Sequence, residues 1–154
     1  VIPAIEEATI LDSTYNSSPE ALKAALKLLA ELEANRKVAI LGNMNELGET
    51  SEEKHREAGA FAAQCADLII TVGSEAKALA NEATARGHKA VYDFSTTSEA
   101  TDFFKDRIKK GDLILVKGSQ NKVRLEKLVK EFMLNPDDAK ELLVRQERVW
   151  EAKI

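Results

Sequence analysis

The chain has 154 residues, a length that fits one domain with a core of its own. Apolar residues make up 44% and charged residues 31%, as in a globular chain, and a net charge of −4 with interspersed signs argues against a general nucleic-acid surface. The lone Cys65 excludes an internal disulfide, and no apolar run is long enough to cross a bilayer, so neither a nucleic-acid nor a membrane partner is expected. Without a signal peptide, the default location is the cytoplasm. Val1-Ile2-Pro3-Ala4-Ile5 has no initiator methionine and reads as the middle of a longer polypeptide.

Residues 8–12 read as a strand that runs into the polar loop Asp12-Ser13-Thr14-Tyr15-Asn16-Ser17-Ser18-Pro19. Ser18 fits a helix N-cap and Pro19 a first helical residue, which needs no amide proton. The spacing of Leu22, Ala25, Leu26, Leu29 and Leu32 predicts a helix over 19–34, broken by Asn35-Arg36-Lys37. Residues 38–42 are continuously apolar, as in a strand covered on both faces. The loop Gly42-Asn43-Met44-Asn45-Glu46-Leu47-Gly48-Glu49 follows. Thr50 and Glu53 have capping-box spacing for a helix to about Cys65, whose neighbours Ala62, Ala63 and Ala66 mark a buried helical thiol. Residues 67–72 are the next strand, with Gly73-Ser74 as turn and cap. An alanine-rich helix over 75–86 is closed by Gly87. Residues 90–94 form a weaker strand, and Thr96 with Glu99 caps a helix to about Lys109. Strand 113–117 leads into Lys117-Gly118-Ser119-Gln120-Asn121 and a helix over 122–133. Asn135-Pro136 starts a last helix to about Lys153, with an uneven stripe of Leu142, Leu143, Gln146, Val149 and Trp150.

Strand and helix thus alternate five times before a terminal helix, with no internal repeat or domain boundary. Helical crossovers favour an α/β fold of three layers, a mostly parallel sheet with helices on both faces. In a parallel sheet the three polar loops fall on one edge, where ligands of open α/β sheets bind. The chemistry there is incomplete. No GxxxxGK[ST] phosphate cradle and no GxGxxG fingerprint occurs, and no Ser-His-Asp or Cys-His pair is suggested. Lys117 can meet an anion beside a helix start, or be an ordinary surface lysine. Asp12 suits a ribose hydroxyl or a metal. Tyr15 and Asn16 suit a base, a backbone amide or loop packing. Glu46 reads alone as a solvated carboxylate and His55 as an exposed helical histidine. Neither Asp12 nor Lys117 is expected in the core.

Taken together, these loops resemble the C-terminal domain of the Mur ligases, in the branch that adds D-alanyl-D-alanine. The family's first motif, Asp-Asp-Ser-Tyr-Asn-Ala-Asn-Pro, stands here as residues 12–19. Its second, Gly-Asp-Met-x-Glu-Leu-Gly with a later His-Arg-Glu, stands as residues 42–48 with His55-Arg56-Glu57. Its third, Lys-Gly-Ser-Arg with a later Leu/Met-Glu, stands as Lys117-Gly118-Ser119-Gln120 with Leu125-Glu126. Ser13, Asn43 and Gln120 replace Asp, Asp and Arg of the family pattern, and the third loop looks one residue longer.

The resemblance implies a Rossmann-like lid over residues 1–133, with an antiparallel edge strand that the β-α count cannot show, and a helical extension over 134–154 packed on it. It implies Asp12, Tyr15 and Asn16 at a nucleotide and Asn43, Glu46, Lys117, Ser119 and Gln120 at a substrate, with no catalytic residue or metal ligand. ATP and Mg²⁺ would be bound mainly by a central domain of the same ligase. Its N-terminal domain would hold the UDP-muramoyl-peptide, and D-alanyl-D-alanine would be the acceptor of this peptidoglycan-synthesis step. Two rival readings are the lid of another Mur ligase and a receiver-like signalling module. The second fits Asp12, Thr96 and Lys117, but the third strand ends Val72-Gly73-Ser74 without an acceptor aspartate.

Overall fold

A computed structural model describes residues 1–15, 17–118 and 123–143. The strands are β1 (Ile2–Pro3), β2 (Thr9–Ser13), β3 (Arg36–Gly42), β4 (Leu68–Val72), β5 (Val91–Phe94) and β6 (Asp112–Lys117). The helices are α1 (Pro19–Glu31), α2 (Ser51–Cys65), α3 (Ala76–Ala85), α4 (Thr97–Lys105), α5 (Glu126–Phe132) and α6 (Ala139–Leu142). The strands form a 6-stranded sheet in the order β1-β2-β6-β3-β4-β5. β1 runs antiparallel to β2 at the edge, and every other pairing is parallel. The mostly parallel sheet with an antiparallel edge strand is the architecture that the sequence and its resemblance imply.

The apolar run of β3 splits between two cores because successive side chains point to opposite faces. Val38 and Ile40 join Ile10, Ile114, Phe104, Leu128 and Phe132 under α4 and α5. Ala39 and Leu41 join Leu22, Leu26, Leu29, Ile69 and Leu79 under α1, α2 and α3. Each fully buried Leu, Ile or Phe side chain contributes about 1.5–3 kcal/mol relative to exposure, so both faces hold the sheet. Cys65 is buried at the end of α2, and burial pushes its thiol above the usual range, as for a packing residue.

Several boundaries differ from the sequence expectation. α1 starts as expected, with Ala21 N–H donating to Ser18 Oγ at 3.2 Å, but ends at Glu31, and Leu32 is extended. The chain is then taken over by β3, which starts at Arg36 because that guanidinium forks onto Asp112 of β6 at 2.9 and 2.6 Å. The Thr50–Glu53 capping box is not made. Residues Gly48–Thr50 form a 3-10 turn instead, and Thr50 Oγ1 donates to Leu47 O at 2.7 Å. At α4 the Thr96 cap is made, with Glu99 N–H donating to Thr96 Oγ1 at 3.2 Å, but the helix stops at Lys105. α5 begins at Glu126, later than expected. The last predicted helix is interrupted: α6 ends at Leu142, and Leu143 is extended. Its continuation to Lys153, with Gln146, Val149 and Trp150, lies outside the described residues. Ala139 and Leu143 join the core under α4 and α5, and Leu134 N–H donates to Pro3 O at 3.0 Å, which seats the described end of the chain on β1.

Candidate functional site

The site is built by strand order. β6 lies between β2 and β3 and is parallel to both, so the loops that follow these strands emerge side by side on one sheet edge. Asp12, near the end of β2, accepts Thr14 N–H on its Oδ1 at 3.2 Å as the chain enters the first loop, from which Tyr15 projects, 60% exposed. Burial raises the Asp12 carboxyl above its ordinary value, although the Thr14 bonds oppose the shift. Asn16 lies outside the described residues, as do Ser119 and Gln120.

Lys117 is the last residue of β6 and pairs with Ser13 of β2. It is buried, at 5% exposure, and its ammonium donates to Ser13 Oγ at 2.9 Å. The surface-lysine reading, and the expectation that this residue stays out of the core, are therefore corrected. β6 is an inner strand, and Lys117 pairs with Ser13 of β2 on one side and with Leu41 of β3 on the other. Burial lowers the Lys117 pKa, with Asp12 pulling it back up. Gly118 N–H continues the ladder to Ser13 O at 3.2 Å, and a methyl group on Gly118 would meet Thr14 O at 3.2 Å, so the first and third loops touch through backbone. Beyond the third loop, Arg124 and Glu126 form a buried ion pair at 2.5 Å.

The second loop is the most constrained. Met44 is fully buried, Asn43 is buried and Glu46 is exposed with φ +62, in the left-handed region that costs a non-glycine residue about 1–3 kcal/mol. Asn43 Oδ1 accepts Glu75 N–H at 3.1 Å and Ala76 N–H at 2.8 Å. It thereby supplies the N-terminal cap of α3 from a distant strand end, and Ser74 does not serve as the cap.

His55, expected on an exposed helix face, is fully buried. Its Nε2 accepts Met44 N–H at 2.9 Å, so Nδ1 carries the proton and donates to Ser51 O at 2.8 Å. The signal for this burial is in the sequence: His55 shares one helix stripe with Gly59 and Ala62, both buried. Gly59 is required there, because a methyl group would sit 2.3 Å from Leu79 O of α3. Ser51 and Glu75 complete the local network, Ser51 Oγ donating to Glu75 Oε1 at 3.0 Å. No sequence pattern pointed to that pair.

The edge thus gathers Asp12 and Lys117 at strand ends with Tyr15 and Glu46 on the loops that follow β2 and β3, and Asn43 and His55 are buried. Among the described residues, no group of three His, Cys, Asp or Glu side chains stands together as metal ligands. No helix among them is long and apolar enough to cross a membrane.

The chain is 34% identical over 131 residues to the UDP-N-acetylmuramoyl-tripeptide–D-alanyl-D-alanine ligase of Bacillus subtilis, an alignment that covers 83% of this chain and 28% of the relative. The structure of MurF ligase from Thermotoga maritima in complex with ADP superposes with a TM-score of 0.67 and 29% identity, covering 87% of this chain and 29% of that one. A MurF structure from Acinetobacter baumannii superposes with a TM-score of 0.70 and 28% identity, covering 80% of this chain and 28% of that one. The chain therefore spans little more than a quarter of the length of these proteins. The family model of the Mur ligase, glutamate ligase domain, matches residues 1–120. With that match over most of its length, and the parallel sheet edge that carries the family's loops, this chain belongs to the Mur ligase C-terminal domain family.

Proposed function

We propose that this chain is the C-terminal closing domain of an ATP-dependent amide ligase that joins D-alanyl-D-alanine to a UDP-muramoyl-tripeptide in the cytoplasm. One observation carries the reading: in a chain of this family, the polar loops after β2, β6 and β3 stand side by side on one sheet edge. The relatives named above carry this activity in their names, and one of them was solved with ADP.

The residues fit a domain that covers a nucleotide without cradling its phosphates. Asp12 presents a half-buried carboxylate suited to a ribose hydroxyl, with Tyr15 exposed beside it and Asn16 next in the loop. The glycine-rich phosphate cradle is missing from the sequence, so the ATP phosphates and Mg²⁺ are assigned to the central domain. A carboxylate of the muramoyl peptide becomes an acyl phosphate, with ATP as the phosphoryl donor. The dipeptide ammonium first gives up a proton to solvent, its free amine attacks the acyl carbon, a C–N bond forms, the C–O bond to phosphate breaks, and phosphate leaves with the electron pair while the second nitrogen proton passes to the phosphate or to water. This domain orients the dipeptide and excludes water. Lys117 supplies a cation for an anionic group, Ser119 and Gln120 follow it in sequence as further polar groups for the substrate, and Glu46 supplies a carboxylate for the cationic amine. Residues 134–154 belong to the same domain as a C-terminal extension.

The full-length ligase, given Mg-ATP and UDP-muramoyl-tripeptide, should release phosphate when D-alanyl-D-alanine is added. Single amino acids such as D-glutamate or L-alanine should give little. Faster release with a single amino acid would identify the lid of a different Mur ligase.

A further inference from the structure

The hydrogen bonds beneath the second loop close on themselves. Met44 N–H donates to His55 Nε2, His55 Nδ1–H to Ser51 O, and Ser51 Oγ to Glu75 Oε1. The amides of Glu75 and Ala76 donate to Asn43 Oδ1, and Asn43 precedes Met44 in the chain. One circuit therefore ties the loop to the first turn of α2 and to the start of α3. The directions follow from the backbone partners: Met44 N–H can only donate, so Nε2 accepts, and Ser51 O can only accept, so Nδ1 donates. The far side of the loop is pinned separately. Leu47 packs on the core under α1, α2 and α3, and its carbonyl accepts from Thr50 N–H at 3.1 Å and from Thr50 Oγ1 at 2.7 Å. Between these anchors Glu46 alone is held outward, in a left-handed conformation that a free glutamate would leave.

We infer that this circuit is a clamp that aims the Glu46 carboxylate at the ammonium of the incoming acceptor, which makes Asn43 and His55 positioning residues and removes Asn43 from the substrate surface. The inference rests on the ligase reading above. A carboxylate that is preorganised at a fixed height above the sheet edge binds a cationic amine without first ordering the loop. The chemistry of the clamp needs only an acceptor oxygen at position 43. Asp meets that need as well as Asn does, and its charge suits a helix N-terminus.

The test is steady-state kinetics of the full-length ligase and its variants, with melting temperature measured alongside. Glu46→Gln should raise KM for the dipeptide about tenfold, with KM for ATP changed less than about twofold. Asn43→Ala should reproduce that selective rise without touching substrate, and Asn43→Asp should recover most of it. A fall in melting temperature for Asn43→Ala with dipeptide KM unmoved would overturn the clamp, as would failure of Asn43→Asp to improve on alanine. If wild-type enzyme shows no acceptor-dependent phosphate release, the ligase reading falls and the clamp's assignment falls with it. A clamp failure in an active wild type leaves the ligase reading standing.

Discussion

At the residue scale, Asp12 and Lys117 are charged groups held partly out of water, and that placement separates their functional worth from their effect on stability. Lys117 is stabilised by Ser13 Oγ and by the field of Asp12, yet burial wins and lowers its pKa. The unfolded chain therefore holds the Lys117 proton more tightly than the folded one, and stability gains as pH rises from the lowered folded pKa toward the ordinary 10.5. Lys117→Met keeps the stem volume and removes the charge. Its melting temperature should equal or exceed wild type at neutral pH, with an advantage that shrinks through that alkaline window, while kcat/KM falls about ten- to a hundredfold. For Asp12 the sign reverses. Its raised pKa means that the wild type loses stability as pH rises above 3.8, so Asp12→Asn should gain relative stability over that range while ligation slows. Thermal unfolding across pH together with ligation rates checks both variants. Unchanged rates would leave the two residues as structural polars.

At the element scale, the contact between α2 and α3 decides how the second loop sits. The helices approach so closely at Gly59 that Leu79 backbone occupies the place of a side chain. Gly59→Ala would normally raise helix propensity by about 1 kcal/mol. Here the added methyl meets a carbonyl that cannot swing away, and the overpacking cost of about 1–3 kcal/mol should prevail. Denaturant unfolding should show a net destabilisation. A stabilised variant would mean that the helices separate without penalty, and the clamp that spans them would lose its rigid frame. Gly59 and His55 fall on one stripe of α2, so both were legible as an inward face from their spacing with Ala62. What hid His55 was its setting in Lys54-His55-Arg56-Glu57, where charged neighbours point outward on the other faces of the same helix.

At the scale of the whole molecule, the sheet presents one polar edge and two apolar faces, and the proposed function makes that edge one part of a ligase site that other domains complete. The proposal sets Asp12 and Tyr15 against a nucleotide, but the sequence holds no glycine-rich cradle for a triphosphate. Calorimetric titration of this chain alone with Mg-ATP should therefore give weak binding or none. Micromolar binding would reveal a phosphate site within this chain and would shift the division of labour between the domains.

The sequence by itself determined the elements and the direction of most strands. Apolar runs such as 38–42 and 113–116, short and bounded by turn residues, read as covered strands, and the helical segments between them favour parallel crossovers, which put the loops on a common edge. These are consequences of patterns within a few residues. The tertiary structure decided which loops touch. β6, the last of the described strands in sequence, inserts between β2 and β3, and that insertion brings Lys117 onto Ser13 across 104 positions. It also decided that Asn43 caps a helix 33 residues away and that His55 closes onto Met44. A side-chain amide and an imidazole carry the same local signal whether they face water or a backbone amide. Only the packing of α2 and α3 against the end of β3 removes the water, and once it is gone each donor and acceptor must find its partner there.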